Sequence, residues 1–339
     1  MNPWLNAALA GPAVLVTVAI AEGSVPREAG AHMLVTADAQ ADTIGGGHLE
    51  LCALEVARGM LRDAAAPGSA AVPQLQRYAL GPTLGQCCGG VVYLAFELVD
   101  AGLIQTLALL KQDQRSDYWR LSALDGAAAS MLLDADGHLL NGAGDVRTLL
   151  PAFDYARNTQ VLRDDGGRRW LADAVLTPRA HLLLFGAGHV GAAIVRLLGE
   201  LPCTVSWIDE REDMFPAELP ANVRIEATDV PEALVAGAPA GASFLVLTHS
   251  HALDQRLSEA IVARADVGWF GLIGSQTKRV QFERRMAARG LPAERIAAMV
   301  CPIGLPGIRS KLPAVIATSV CAQLLMVWEA QYAALAHSR

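Results

Sequence analysis

Apolar and polar positions follow two different rhythms along this chain. In the first half, a β-branched run from Val14 to Ile20 reads as a buried strand over Ala13–Ile20. The turn-rich stretch Glu22–Gly30 follows, then a strand over His32–Thr36. Gly45-Gly46-Gly47 leads into a helix predicted over His48–Ala65, with Leu49, Cys52, Leu54, Val56 and Leu61 on its apolar side. Pro67-Gly68-Ser69 stops it. Strands are predicted over Gln74–Leu80 and Val91–Leu98, a helix over Leu103–Gln112 and a hairpin over Tyr118–Leu133. Residues 135–178 hold Gly142, Gly144, Gly166 and Gly167 and read as irregular chain with short strands.

The second half alternates strand and helix. Strands at 181–185, 204–208, 243–247 and 268–273 are each placed ahead of a turn, and helices follow up to Leu198, from Ala252, and over Ser275–Arg289. A last helix starts near Pro313. Crossovers of this length imply a parallel, right-handed sheet. The expected fold class is therefore α/β: a mixed α+β domain over residues 1–177, then a Rossmann-like parallel α/β domain over 178–339, with the boundary near Thr177-Pro178. No internal repeat is visible.

At 339 residues, two domains are expected, and 53% hydrophobic content gives each enough to bury a core. A net charge of -7 argues against a general nucleic-acid binder. Six cysteines, at 52, 87, 88, 203, 301 and 321, show no zinc-type CxxC spacing and read as free thiols of a reducing, cytoplasmic compartment. The first 21 residues carry no charged side chain, but no Lys or Arg precedes the apolar run and Gly11-Pro12 interrupts it, so a secretion signal is not expected. The apolar stretch Leu312–Trp328 contains Pro313, Thr318, Ser319 and Gln323 and reads as a core helix, so no membrane partner is expected either.

Chemistry gathers at glycine-framed turns. Gly186-x-Gly188-x-x-Gly191 follows an apolar strand and opens a helix, the context a dinucleotide fingerprint needs. Its first glycine makes the turn, its second admits a ligand to the backbone, and its third lets helix and strand pack. His189 lies within it, and Asp209 ends the next strand where an acid can meet a ribose hydroxyl. Thr248-His249-Ser250-His251 sits at another strand end, where the two histidines suit a metal or an anion and His249 or Ser250 equally suits a helix cap. Ser275 is a predicted N-cap ahead of Lys278 and Arg279, a pattern that fits either a phosphate seat or an ordinary capped helix with solvated cations. Cys301 and Gly304 belong to a glycine-rich loop that runs through Arg309 and Lys311 into a helix, again an anion seat.

The least ordinary feature is Gly85-Gln86-Cys87-Cys88-Gly89-Gly90. Two adjacent thiols on a bare backbone suit a thiophilic metal, although the loop alone reads more plainly as two small residues at a tight turn, one buried and one exposed. A free thiol is mostly protonated at neutral pH, so metal binding or attack on sulfur requires local positive potential or the metal itself.

Taken in order, Glu22-Gly-Ser-Val-Pro-Arg27-Glu-Ala-Gly-Ala-His-Met33, Ile44-Gly-Gly-Gly-His48-Leu-Glu50, Gly85-Gln-Cys-Cys-Gly-Gly90, Gly186-Ala-Gly-His-Val-Gly191, Thr248-His-Ser-His-Ala-Leu-Asp254, Gly271-Leu-Ile-Gly-Ser-Gln-Thr-Lys-Arg279 and Cys301-Pro-Ile-Gly-Leu305 resemble the xanthine dehydrogenase accessory proteins of the XdhC type, over nearly the whole chain. The resemblance implies a chaperone for the molybdenum cofactor, molybdopterin, a pterin with a dithiolene and a phosphate. It implies a cysteine desulfurase partner that supplies the terminal sulfur, the molybdenum subunit of xanthine dehydrogenase as recipient, and a homodimer. Carried over, Cys87 and Cys88 are the candidate contacts to molybdenum or its labile sulfur, Gln86 is a candidate cofactor contact beside them, and the glycine turns of the second half are candidates for the phosphate. The sequence departs from the family pattern at Val315, where relatives carry an acidic residue.

Two rivals remain open on the residues alone. An NAD-linked oxidoreductase would use the Gly186–Gly191 turn with Cys87 or His249 at the reacting centre. A metal-handling protein would use Cys87, Cys88 and His249 or His251.

Overall fold

A computed structural model describes residues 3–7, 11–66, 72–81, 88–112, 116–144, 149, 159–176 and 180–337. The chain divides into two compact units, Asn2–Thr177 and Pro178–Arg339.

The first unit opens with a short helix, α1 (Pro3–Asn6), followed by β1 (Val14–Glu22), β2 (His32–Val35), β3 (Gln40–Asp42), α2 (Gly47–Ala64), β4 (Gln74–Ala79) and β5 (Val91–Leu98). Then come α3 (Ala101–Gln112), β6 (Tyr118–Ala123), β7 (Ser130–Asp134), β8 (Leu139–Asn141), β9 (Gln160–Arg163) and β10 (Arg169–Val175). Two antiparallel sheets result, one ordered β3-β2-β1-β5-β4 and the other β8-β7-β6-β10-β9. Strand alternation assigns the layers. Val14, Val16, Val18, Met33, Val35, Leu94 and Phe96 pack with Leu49, Ala53, Ala57 and Met60 of α2. From the opposite face of the same sheet, Leu15 and Leu34 join Leu132 and Val175 of the second sheet, and Ala19 and Ala95 join Leu171. With both faces covered, β1 reads as a continuous apolar run rather than an alternating one. The described part of residues 135–178 holds the short strands β8, β9 and β10, and β10 pairs with both β6 and β9.

The meeting faces of the two sheets also hold charge. Arg120 on β6 is 0% exposed. Its Nη1 donates to both carboxylate oxygens of Glu97 on β5 at 2.9 Å and to Ser122 Oγ at 2.8 Å. Its Nε and Nη2 donate to Asp173 Oδ2 on β10 at 3.1 and 3.0 Å. His32 Nε2 lies 2.8 Å from the same oxygen, Thr159 Oγ1 donates to Asp173 Oδ1, and Trp4 stacks on the His32 ring at 4.2 Å. Burial works against the Asp173 charge, but the adjacent His32 and Arg120 outweigh it and hold the carboxyl well below its usual range.

The second unit begins with β11 (Ala180–Phe185), α4 (His189–Leu198), β12 (Cys203–Asp209), β13 (Val223–Ala227), α5 (Pro231–Ala236), β14 (Ser243–Val246) and α6 (His251–Ala263). It ends with β15 (Trp269–Leu272), α7 (Gln276–Ala288), α8 (Ala293–Ala297) and α9 (Pro313–His337). All five strands are parallel, in the order β13-β12-β11-β14-β15. The order reverses at β11, so the switch point lies between β11 and β14, where open α/β sheets bind ligands beyond the strands' carboxyl ends. The sequence pattern did not mark β13 or α5, because most of β13 is exposed and α5 is six residues long. By length and composition α9 could cross a membrane. Its Ala317, Val320, Cys321, Leu324 and Trp328 nevertheless belong to the core that covers one face of the sheet, as expected for a core helix.

Two outcomes test the buried charge cluster. Arg120→Met leaves Glu97 and Asp173 buried without their partner and should cost about 3–5 kcal/mol, read from urea unfolding. The Asp173 pKa is lower folded than unfolded, so its contribution is present at neutral pH and lost as pH falls through the folded value. The stability gap between wild type and Asp173→Asn should therefore narrow only below about pH 3.9, the ordinary value. Narrowing near pH 6 would assign the effect to another group.

Candidate functional site: the carboxyl edge of the parallel sheet and the glycine loops of the first unit

The turn after β11 divides its glycine roles by space. Gly186 has φ 123°, and a Cβ there would lie 2.4 Å from the Leu247 carbonyl oxygen. A Cβ on Gly191 would lie 2.2 Å from the Gly186 oxygen. A Cβ on Gly188 would meet nothing within 4 Å. The first and third glycines are thus required by the fold, while the second faces open space as a ligand-approach position should. Gly188 is the N-cap of α4 and no side chain caps the helix. His189 follows, exposed.

Asp209 sits at the end of β12, buried. Its Oδ2 accepts from the Ala187 amide at 2.6 Å, and both oxygens accept from Arg211. Burial opposes its charge, but the hydrogen bonds from Arg211 and Ala187 outweigh it and lower its pKa. The carboxylate expected at a ribose therefore holds the glycine turn in place. A crevice opens beside it, with Asp209, Glu210, Thr248 and His249 on its polar side. Glu210 and His249 approach to 3.4 Å, and both are exposed.

Beyond β14, Ser250 is the cap of α6 and accepts from the Leu253 amide. His251 is exposed, with its ring edge toward Phe282 at 6.4 Å. No metal-ligand cluster forms around His249 and His251 among the described residues. The unexpected partner is Asp254, buried on α6. Its Oδ1 accepts from the Thr248 amide and Oγ1, and its Oδ2 lies 2.6 Å from Lys278 Nζ. Lys278 also donates to the Ile273 carbonyl at 2.9 Å. Lys278, expected to be solvated or to meet a phosphate, instead turns inward and ties α7 to α6 and the β14 turn. Asp254 and Ser258 fall in the helical spacing of Leu253, Leu257 and Ile261, so polar residues at core positions were the available signal.

Ser275 caps α7 by accepting from the Lys278 amide. Arg279 Nε pairs with Glu283 at 2.7 Å, and its Nη1 donates to the Cys301 carbonyl at 3.3 Å. The amides of the Gly304 loop are also engaged. Gly304 N–H donates to Gln323 Oε1 at 2.8 Å and Leu305 N–H to Ser319 Oγ at 2.7 Å, both acceptors lying on α9. Two of the three further anion seats expected from sequence, at Ser275–Arg279 and at Gly304, are thus filled by the chain's own groups.

In the first unit, three glycine-bearing segments converge. Gly90 N–H donates to the Ser24 carbonyl at 2.9 Å, and a Cβ on Gly90 would lie 2.4 Å from the Glu22 oxygen. A Cβ on Gly45 would strike Pro26 at 2.6 Å. The 22–27 loop therefore packs against both the Gly45 turn and the chain just after Cys88. Gly45, Gly46 and Gly47 all have positive φ. Glu50 holds this turn by accepting from the amides of Ile44 and Gly46 and from Thr43 and Gln40. Burial opposes the Glu50 charge, and these hydrogen bonds outweigh it to lower the pKa. Cys88 is half-buried at the margin of the α2 core. Gln86 and Cys87 lie outside the described residues.

The family description "XdhC Rossmann domain" matches residues 182–324, and "XdhC and CoxI family" matches residues 7–78. The chain belongs to the XdhC family. A crystal structure from Bacillus halodurans, described as a xanthine dehydrogenase, has the same fold with a TM-score of 0.74, at 20% identity over 95% of this chain and 93% of that one. The uncharacterized protein YqeB of Escherichia coli (strain K12) is 28% identical over 220 residues, 59% of this chain and 40% of YqeB. The chain therefore matches less than half the length of that relative.

Burial separates the cysteines. It pushes Cys203 up to about 11, and with the Cys203 charge it pushes Cys321 up to about 12. Burial also raises Cys301, against the opposing pull of Lys278 and Arg279. At neutral pH, alkylation of the native protein followed by peptide mass spectrometry should label Cys88 and Cys52, both half-buried, well before Cys203, Cys301 and Cys321. Early labelling of Cys301 would contradict its burial.

Proposed function

We propose that this protein is an accessory factor in the maturation of a xanthine dehydrogenase. In this reading it binds the molybdenum cofactor as cargo, keeps it while a cysteine desulfurase supplies sulfur, and passes it to the molybdenum subunit. The protein works as a homodimeric carrier rather than as a turnover enzyme. Membership of the XdhC family supports the role. The observation that carries the binding assignment is the Gly188 turn, an uncapped helix start with open space above a bare backbone position. Such a start attracts an anion through its exposed amides and the helix dipole.

The residues present suit the cargo's chemistry. A phosphate fits the Gly188–His189 turn, whereas the Lys278 amide, taken by Ser275 Oγ, and the Gly304 amide already have acceptors. A thiophilic metal fits the sulfur of the Cys87-Cys88 pair. The cargo brings a dithiolene-held molybdenum, and the chain's part is to bind and orient it. The carboxylate of Asp209 fixes the Ala187 amide, and so the path of the turn that receives the phosphate.

Retention of cofactor released from a donor enzyme, followed through gel filtration, tests this reading. Wild type should retain it. Cys87→Ser/Cys88→Ser should fold and lose retention by about tenfold or more, the scale of one lost charged contact. Gly188→Val adds a side chain where space is open, so it should also fold and weaken retention. No retention by wild type would overturn the proposal.

A further inference from the structure

We infer that the outward face of α9 is a dimer seam, on which the α9 of a second copy lies antiparallel about a two-fold axis level with Val320. The inference rests on the homodimeric reading above and names the surface which that reading leaves open. Helix α9 carries one acid, Glu329, and no Lys or Arg. Its Ala317, Val320, Cys321, Leu324 and Trp328 enter the core over the parallel sheet, and its Ser319 and Gln323 are taken by the Gly304 loop. The rest of the helix has no such cover among the described residues, and only 33% of its most apolar window is buried. Leu312 and Met326 are 65% and 63% exposed.

The uncovered face has a rhythm of its own. Lys311, Val315, Thr318, Ala322, Leu325 and Glu329 are all exposed or half-buried. They follow one another at spacings of 4, 3, 4, 3 and 4 residues, with Lys311 just ahead of the helix. That is the heptad spacing which keeps one line of side chains facing a partner helix. The order is also symmetric: cation, large apolar, small, small, large apolar, anion.

An antiparallel second copy matches this order layer by layer. The axis at Val320 sets Lys311 against the second copy's Glu329, Val315 against its Leu325, and Thr318 against its Ala322. It also lays the long side chain of Met326 on the exposed Ala314. Parallel helices would instead set Lys311 on Lys311 and Glu329 on Glu329, so the charges select the antiparallel sense. Neither Lys311 nor Glu329 has an ion-pair partner among the described residues. The small residues at the centre let two backbones approach. Thr318 Oγ1 donates to the Ala314 carbonyl of its own helix at 2.9 Å, so covering it orphans no polar group. A lipid occupant fits less well, because Glu329 lies on the same face and hydrocarbon disfavours a charge. Two-fold symmetry repeats every contact, so a change at one residue acts in two places.

Sedimentation velocity of the full chain over a concentration series tests the seam. Wild type should show a monomer–dimer equilibrium. Ala322→Glu puts a charge into both central layers and should weaken the dimer by about a hundredfold. Lys311→Glu and Glu329→Lys each set like charges together at both ends, and each should weaken it by about tenfold. Mixing these two variants, or combining both changes in one chain, brings opposite charges together again and should restore the wild-type affinity. The substituted residues are exposed or half-buried, so every variant should keep the wild-type circular dichroism spectrum. A dimer that none of these changes weakens would overturn the seam and leave the homodimer standing on another surface. Weakening without recovery in the combined variant would overturn the antiparallel pairing. A monomeric wild type would overturn the seam and the homodimeric reading together, and its flotation with phosphatidylglycerol vesicles would give the face to a membrane.

Discussion

Backbone amides at the carboxyl edge of a parallel sheet must find acceptors, and this requirement organises the second unit. Four of the five strands there, β11, β13, β14 and β15, lead through a turn into an α-helix, and the first amides of a helix have no partner within it. Ser250 and Ser275 supply acceptors for two of these helices. Gln323 and Ser319 reach from α9 to the Gly304 loop, and Asp209 reaches from β12 to Ala187. At α4 and α5 no side chain takes this part. The chain thus closes part of its edge with its own oxygens, and the α4 start beside the switch point has open space above Gly188.

The same economy explains the buried charges. Lys278 is kept by Asp254, and Asp254 by Thr248, so a turn, a helix start and a neighbouring helix are fixed relative to one another. In the first unit, Arg120 serves two carboxylates on two sheets. A guanidinium can do this because its donors lie in one plane and point apart, which a lysine cannot match. Apolar contacts between the sheets would tolerate sliding; a forked ion pair at their centre fixes one arrangement. Buried pairs of this kind add little net stability over a hydrophobic substitute but are costly to break.

Much of this was legible in the sequence, for reasons that differ by element. Strand β1 announced itself because both its faces are buried and its residues are β-branched. The Gly186–Gly191 turn was legible because its steric demands are local: two glycines cannot carry a Cβ and one need not. Strand β13 and helix α5 were not legible, being short and largely exposed. The inward turn of Lys278 and the engagement of the Gly304 amides were hidden for another reason. Both depend on partners 24 and 19 residues away, Asp254 and Gln323, and local pattern carries no information about which distant group answers a charge or an amide. Arg120 and Asp173 were hidden in the same way, as charged residues inside strands whose outer neighbours are apolar.

Burial also sorts what the cysteines can do. Cys203 and Cys321 are held as thiols by the apolar core around α4 and α9, and Cys301 by the packing behind Ser275. A thiol needs its anion to bind a soft metal, and forming that anion in a low-dielectric core is unfavourable. Among the described cysteines this leaves Cys52 and Cys88, both half-buried. Cys52 lies within α2, on a helix whose geometry is already spent on packing against the sheet. Cys88 precedes Gly89 and Gly90 in the irregular chain ahead of β5, where Gly90 is pinned by the Ser24 carbonyl and bare backbone follows the cysteine.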